Sequence, residues 1–233
     1  MKKVLIGLGL ASLITVSSYA QNDYYLKGGV GISKTQTLDN TKGSGSTYEN
    51  LPFDSETFEN YSIGLGYKIN DYYNLELMLQ HTPSFDLSGS NFQDDGGYDP
   101  DIIYNASIKY TSIMINNIFS LDELLNKSWT LKPYFGIGLG FTKYDYENYS
   151  LFIKSTNTRF PISSSSDTNF TWKAIIGSTY PLTDRIDFDL SYAYSDYGTF
   201  ESGKKSPGLP DLQKGYEIDM KAHEVLFALR YNF

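Results

Sequence analysis

The sequence predicts an all-β fold: an eight-stranded antiparallel up-and-down transmembrane β-barrel, with short periplasmic turns at one end and four long extracellular loops at the other. Three observations predict it. Apolar residues recur at every second position in eight segments, the connections between those segments alternate between short and long, and the chain contains no cysteine although its start predicts export. Alternation with a period of two gives each strand one apolar and one polar face.

The first twenty residues predict a cleavable signal peptide. Two lysines precede an apolar stretch over 4–16, and Ala20 ends a small-x-small cleavage site. That stretch is too short to span a bilayer, which takes roughly 20 residues. We therefore expect residues 1–20 to be removed and residues 21–233 to form one exported domain.

The composition further limits the class of protein to which the chain can belong. Aromatic residues make up 16% of the chain, with 21 tyrosines and 20 glycines, which is typical of a large β structure. Without cysteine there is neither a disulfide framework nor thiol chemistry, so backbone pairing or a large core must supply the stability. The net charge of -8 disfavours nucleic acid as a partner. The glycine pairs lie in strands and match no nucleotide-binding or metal motif, and we expect no cofactor.

The eight segments follow one another along the chain, each with its own apolar parity. The parity is least clear in the fourth, where Tyr110 and Met114 interrupt it. The predicted apolar faces are Leu26, Val30 and Ile32; Tyr61, Ile63, Leu65, Tyr67 and Ile69; Tyr73, Leu75, Leu77 and Leu79; Ile113, Ile115 and Phe119; Phe135, Ile137, Leu139 and Phe141; Phe170, Trp172, Ala174, Ile176 and Tyr180; Ile186, Phe188, Leu190, Tyr192 and Tyr194; and Val225, Phe227, Leu229, Tyr231 and Phe233.

The connections between segments predict the orientation of the barrel. The second, fourth and sixth are short, and the first, third, fifth and seventh are long. The short ones are expected at 70–72, 121–128 and 181–185, and the long ones at 35–56, 83–104, 148–168 and 198–217. In a meander all the long connections lie at one end, as in outer-membrane barrels and unlike a soluble sandwich. Both chain ends then lie on the periplasmic side.

The apolar parity is predicted to face lipid. Several apolar runs begin or end in aromatic residues, and eight residues tilted near 40° rise roughly 20 Å, close to the roughly 25 Å apolar band between two aromatic girdles. The girdle residues are expected to be Tyr61, Tyr67, Phe135, Phe141, Trp172 and Tyr180. The opposite parity is rich in glycine, which leaves room in a narrow interior for Tyr134, Lys173 and Arg230.

The polar parity then fills the lumen. Isolated charges in a narrow interior are costly, so we expect these side chains to form an interlocking network of ion pairs and hydrogen bonds. The predicted network comprises Lys27, Glu76, Lys173, Asp187, Asp189, Glu224 and Arg230. The same charges are also compatible with a narrow ion path, although eight strands leave little free lumen.

Three stretches carry a family resemblance: YPLTDRIDFDLSYAYSDYG, HEVLFALRYNF and LKPYFGIGLGF. They resemble the opacity-type outer-membrane β-barrels. DYYLKGGVGIS and GYKINDYYNLEL are similar to the small surface-antigen and adhesin barrels of intracellular Gram-negative bacteria. The resemblance implies an integral protein of the bacterial outer membrane, in contact with its lipid and inserted by the barrel-assembly machinery. It also implies an assembly signal at the chain end, formed by Phe227, Leu229, Tyr231 and Phe233.

The loops hold the candidate contact residues. Asp94, Asp95 and Asp99 cluster in QDDGGYDPD, but their spacing fails the EF-hand pattern, and a solvated acidic turn is the simpler interpretation. A second group is the apolar set Phe152, Ile153 and Phe160 in the fifth connection, which is unusual for a loop in water. These residues either extend the neighbouring strands above the membrane, which we favour, or form an adhesive patch.

Three functions remain open from the sequence. The leading one is a surface barrel that is structural or that adheres to a host or matrix protein through its loops. The second is a narrow channel for small solutes, and the third is a lipid-modifying enzyme. Catalysis is disfavoured because the only histidines, His81 and His223, both fall on the lipid-facing parity, where interfacial packing is expected. We therefore expect no catalytic residues and no metal ligands.

Overall fold

The computed structural model describes residues 23–36, 54–90, 102–207 and 215–233. Within these ranges the chain forms nine strands and one short helix. They are β1 (Tyr24–Thr35), β2 (Thr57–Lys68), β3 (Tyr73–Ser90), β4 (Ile102–Ser120), α1 (Leu121–Leu124), β5 (Lys132–Ile153), β6 (Thr158–Pro161), β7 (Ser165–Pro181), β8 (Ile186–Glu201) and β9 (Glu217–Asn232). The predicted signal peptide lies outside the described residues.

Eight of the strands close into an antiparallel barrel, which confirms the predicted fold class. Each strand pairs with the next one along the chain, and β1 pairs with β9 to complete the cylinder, with Leu26 opposite Tyr231. At the seam the Phe233 amide donates to the Tyr24 carbonyl at 3.2 Å. The ninth strand, β6, pairs only with β5. No helix in the described part of the chain is long and apolar enough to cross a membrane.

The apolar parity faces outward. Val30 and Leu229 expose 55% and 56% of their surface, and Ile113 and Ile115 are similarly exposed, so the predicted parity of the fourth strand is correct. Exposure of this many aliphatic side chains would be unfavourable in water. In lipid these side chains form the apolar band of a membrane barrel. Above this band the outward positions become polar, and they include Lys34, Glu59, Lys109, Lys143 and Lys221.

Most strands extend further from the membrane than predicted, so the third, fifth and seventh connections are shorter than the sequence indicated, whereas the first is as predicted. β3 runs to Ser90 and β5 to Ile153, both inside predicted loops. The cause is local: the β3–β4 register shifts at Thr82/Phe85, and in β5 Asn148 adopts a positive φ of 53° beside the second shift. A bulge reverses the alternation beyond it, so a period-two pattern appears to end where the strand continues.

The upper interior is apolar and aromatic, and the prediction of a wholly polar core is wrong there. Beyond the lipid band the inward side chains form one buried cluster. It comprises Phe58, Leu87, Tyr104, Ala106, Ile108, Tyr110, Tyr144, Tyr146, Tyr149, Leu151, Ile162, Tyr197, Phe200, Tyr216, Ile218, Met220 and Ala222, with Phe85 and Phe160 packed against it. This set, termed the aromatic plug below, fills the extracellular part of the barrel.

Ring stacking orders the aromatic plug. Tyr144 stacks on Phe200, and Phe58 stacks on Phe85, both at 4.1 Å between ring centroids. Tyr110 lies between these pairs and contacts Phe200 edge to face at 6.0 Å. Such pairs contribute about 0.5–1.5 kcal/mol each beyond simple burial, so the plug is a packed core outside the membrane.

Close packing of the strands makes a testable prediction at Gly140. A Cβ atom there would lie 2.0 Å from the Ile113 carbonyl oxygen and 2.7 Å from the Met114 sulfur. We expect Gly140→Ala to lower the free energy of unfolding by about 1–3 kcal/mol, because backbone must move to accept the methyl group. Urea unfolding of the refolded protein, followed by tryptophan fluorescence, measures the difference.

The matched control is Gly28→Ala. Gly28 faces outward and has nothing within 4 Å of its Cβ position, so its substitution should leave the midpoint unchanged or raise it slightly. Equal destabilisation of the two variants would contradict the packing described here.

Candidate functional site

A buried ion-pair layer crosses the middle of the barrel. The Lys27 ammonium lies 3.1 Å from Asp189 Oδ1 and 3.7 Å from Glu76 Oε2, and all three side chains are at most 6% exposed. Asn116 Nδ2 donates to Glu76 at 2.9 Å, and Tyr134 OH donates to Asp189 at 2.9 Å. The structure thus brings together three of the predicted network residues and gives both carboxylates neutral donors, which offset the desolvation cost.

A second layer lies between the first and the aromatic plug. Lys173 Nζ pairs with Glu224 Oε2 at 3.0 Å and donates to Gln80 Oε1 at 2.5 Å. The Tyr197 hydroxyl also donates to Glu224, and the Tyr197 ring lies 4.7 Å from Tyr110 in the plug. A cavity of only about 30 Å³ separates the two charged layers. That volume holds about one water, so there is little free space between these two layers.

The third layer forms the periplasmic mouth. Arg230 Nε lies 3.7 Å from Asp187 Oδ2 and donates to Asn232 Oδ1 at 3.2 Å, while its guanidinium stacks on the Tyr25 ring at 3.9 Å. Asn232 Nδ2 in turn donates to Asp187 at 2.9 Å. A cavity of about 1060 Å³ opens here and reaches upward to Lys27. We call it the periplasmic cavity.

Glycines on neighbouring strands leave space for the aromatic rings in the barrel interior, because they carry no Cβ atom. At Gly177 a Cβ atom would lie 2.4 Å from Tyr134 Cζ, and at Gly66 it would lie 2.0 Å from Tyr25 Cζ. The sequence predicted glycines beneath Tyr134 but missed Tyr25. The prediction, which was based on charge, also left out the neutral members of the network. Inward parity alone would have identified them: Tyr25, Gln80, Asn116 and Tyr197.

The predicted girdle residues lie on the outer face of the barrel. They are 37–56% exposed, with Tyr67, Phe135 and Tyr180 toward the periplasmic end and Tyr61, Phe141 and Trp172 toward the extracellular end. Their rings contact outward neighbours, as in Trp172 with Tyr194 at 5.6 Å. On β9, Phe227 and Leu229 are also exposed outward, and Tyr231 and Phe233 meet edge to face at 5.3 Å.

The extracellular end carries the β5–β6 hairpin. Leu151, Phe152 and Ile153 belong to β5 and Phe160 to β6, the short strand that pairs with it, so this apolar segment is strand rather than loop. Phe152 is half-buried beneath Arg159, whose guanidinium carbon lies 5.7 Å from the ring centroid. The three aspartates Asp94, Asp95 and Asp99 lie outside the described residues.

Backbone hydrogen bonds join the segment after the β5–β6 hairpin to the fourth long connection, which follows β8. The Ser163 amide donates to the Lys205 carbonyl at 2.8 Å, and the Gly203 amide donates to the Ser163 carbonyl at 2.9 Å. On the wall of the same region the Glu147 carboxylate hydrogen-bonds Lys109 at 2.9 Å and raises the pKa of that amine. The extracellular end is therefore a fixed surface in its described part.

Both histidines lie on the outer face. His81 Nδ1 contacts Thr111 Oγ1 at 2.9 Å, and His223 contacts Tyr192 OH at 2.5 Å through Nδ1. The partner of His223 Nε2 is the amide of Gln36, at 3.2 Å. In the described ranges no three His, Cys, Asp or Glu side chains are grouped as a metal site would require.

Comparisons with known proteins agree with this architecture. The family model for the outer membrane protein beta-barrel domain matches residues 6–233. PagN, an outer membrane protein of Salmonella typhimurium, is 24% identical over 216 residues, covering 87% of this chain and 83% of PagN. A Rickettsia conorii protein named "Putative adhesin RC1281" is 24% identical over 226 residues, covering 94% and 85%.

A solved structure gives the same fold. The outer membrane protein OprG of Pseudomonas aeruginosa superposes with a TM-score of 0.59 at 13% identity, covering 91% of this chain and 97% of OprG. Fold, lipid-facing surface and family model together place the protein in the bacterial outer membrane. The chain belongs to the family of the outer membrane protein beta-barrel domain.

Proposed function

We propose that this protein is a non-catalytic surface adhesin that binds a host or matrix protein through its extracellular end. The observation that carries the proposal is that the barrel continues above the lipid band with an interior filled by packed side chains. A transmembrane β-strand needs about 9–11 residues, whereas β5 has 22 and β4 has 19. The additional length, filled by the aromatic plug, supports a rigid platform beyond the membrane.

Within that platform the β5–β6 hairpin is the proposed contact element. Arg159 over Phe152 presents a cation on an aromatic ring, and Arg159 Nη1 also donates to Ser150 Oγ at 3.2 Å. Aromatic and arginine side chains dominate the energetics of protein interfaces because they combine apolar area with directional donors. Ile153 and Phe160 are half-buried on the alternate positions of the hairpin, and Phe160 packs against the aromatic plug. The acidic residues Asp94, Asp95 and Asp99 remain additional proposed contacts.

The similarity to the Rickettsia conorii protein, 24% identical and named "Putative adhesin RC1281", supports adhesion. The alternatives receive less support. A channel would have to pass the two buried ion-pair layers and the plug. A lipid-modifying enzyme needs a nucleophile, a base and an orienting acid in reach of one another. His81 and His223 instead contact hydroxyl and amide groups on the lipid-facing surface.

Insertion is proposed to depend on the last strand. Phe227, Leu229 and Tyr231 are on the lipid-facing parity of β9, the strand that closes the barrel against β1, and Phe233 follows its end. We infer that the barrel-assembly machinery recognises this apolar chain end after the signal peptide, residues 1–20, has been removed. Closure must follow recognition, because an unpaired β9 edge in lipid would leave backbone groups without partners.

Adhesion through the hairpin predicts a loss of binding in the double variant Phe152→Ala/Arg159→Ala. Bacteria that display this variant should bind host cells or immobilised matrix protein at least about fivefold less than those displaying the wild type, since the proposed contact pair is removed. The number of bound bacteria is normalised to the amount of barrel on the surface.

The matched control is Lys127→Ala/Trp129→Ala. It removes a similar pair, with Lys127 Nζ 5.9 Å from the Trp129 ring centroid, on the turn after β4 at the opposite end. This control should bind as the wild type does. Equal binding by the hairpin variant and the wild type would reject the hairpin as the contact element.

The closed interior predicts that the refolded wild-type protein shows no steady openings in planar bilayers. Arg230→Ala should leave the recording equally silent, because the Lys27 and Lys173 layers and the plug lie above the mouth. Steady openings that change amplitude with Arg230→Ala would instead support a solute channel and remove the structural basis of the present proposal.

A further inference from the structure

The periplasmic cavity has an acidic wall. Eight carboxylate side chains and five cationic ones line it within the described residues. Lys27 pairs with Glu76 and Asp189, and Arg230 pairs with Asp187, so two cations and three carboxylates are already matched. The remaining carboxylates outnumber the remaining cations. The carboxylates are Asp23, Asp71, Asp122, Glu123 and Asp184, and the cations are Lys68, Lys132 and Arg185.

Three of the remaining carboxylates lie on neighbouring connections. The β2–β3 turn and α1 meet at the mouth, where the Ser120 amide donates to the Tyr72 carbonyl at 2.9 Å. Asp71 directly precedes Tyr72, and Asp122 and Glu123 follow Ser120 in α1. We call Asp71, Asp122 and Glu123 the acidic arc.

The remaining cations do not neutralise the acidic arc. Lys68 ends β2 and is attracted by Asp187 and Asp23, which lie outside the arc. Lys132 begins β5 beside α1, but it is exposed. Arg185 lies in the β7–β8 turn, which strands β5 and β7 separate from α1. Within the described ranges no ion pair joins the acidic arc to any of these three side chains.

Asp122 is the unusual member of the arc. Its side chain lines the cavity although it is only 3% exposed, and its Oδ1 has no hydrogen-bond partner among the described residues. A buried carboxylate oxygen without a donor is unfavourable, because it has lost water and gained nothing in exchange. A cation that enters the cavity and donates to this oxygen removes that cost.

The arrangement of the arc favours an extended cation over a single metal ion. No three His, Cys, Asp or Glu side chains in the described part of the chain are grouped closely enough to hold a metal. The arc instead combines one buried carboxylate, Asp122, with two exposed ones at the rim. An ammonium group donates charge-assisted hydrogen bonds to one carboxylate at a time, so a molecule with several spaced ammonium groups matches this distribution.

We propose that the acidic arc binds a linear polyamine that enters from the periplasm, with one ammonium group donating to Asp122 and others to Asp71 and Glu123. The cavity volume of about 1060 Å³ suits a small molecule, since ligand pockets commonly measure roughly 300–1,000 Å³. The site is separate from the extracellular platform and does not depend on adhesion.

The experiment titrates spermidine into the refolded full barrel in nanodiscs of phosphatidylcholine, with calorimetry at constant ionic strength. Saturable binding by the wild type is expected. Asp122→Asn should weaken it at least about tenfold, because the substitution keeps the shape of the side chain and removes the buried charge. Asp71→Asn/Glu123→Gln should weaken it about threefold or more, since water and salt screen these exposed carboxylates. Heat-modifiable gel migration verifies that each variant is folded.

The matched control is Asp184→Asn, which removes the same charge from an exposed turn residue of the cavity outside the acidic arc. It should bind spermidine within about twofold of the wild type. Mg²⁺ titrated at the same ionic strength should show no saturable binding. The proposal would be overturned by any of four results: no saturable spermidine binding, equal weakening in Asp184→Asn and Asp122→Asn, unchanged binding in Asp71→Asn/Glu123→Gln, or saturable Mg²⁺ binding that Asp122→Asn abolishes.

Discussion

The rest of the structure depends on the pairing of β1 with β9. Within lipid every backbone amide and carbonyl needs a partner inside the protein, and an open sheet leaves two edges without one. The ladder from Tyr25 opposite Asn232 to Thr35 opposite Ala222 removes both edges. Closure with eight strands then fixes the interior width at about the size of side chains, so the identity of each inward residue decides whether the lumen is open.

The inward residues are graded from one end of the barrel to the other. Toward the periplasm they are charged and border a wide cavity, in the middle they are charged and matched, and toward the outside they are aromatic. Lys173 and Glu224 pair at the upper boundary, where Tyr197 joins the polar layer to the aromatic plug through its hydroxyl and its ring. This order explains why one chain can have an open cavity at its periplasmic end and a packed interior at its extracellular end.

The sequence was sufficient for the barrel because lipid and interior impose opposite preferences at alternate positions, as the outward Leu75 and the inward Glu76 illustrate. It was insufficient where a bulge reverses that alternation, at Thr82/Phe85 and at Asn148, and there strands appeared as loops. It also could not predict the plug, since buried tyrosines above the membrane have the same local pattern as lipid-facing aromatics. Only strand pairing shows that Tyr144 and Phe200 meet inside.

The two ends of the barrel are energetically separate. No side chain of the β5–β6 hairpin reaches the Lys27 layer within the described residues, and the plug and two ion-pair layers lie between them. Substitutions more than about 7–10 Å apart without shared partners act nearly additively. Changes in the extracellular surface can therefore accumulate without disturbing closure or the periplasmic mouth. The 24% identity to PagN and to the Rickettsia conorii protein is what this separation allows, because the fold constrains the lipid face and the interior more than the outer surface.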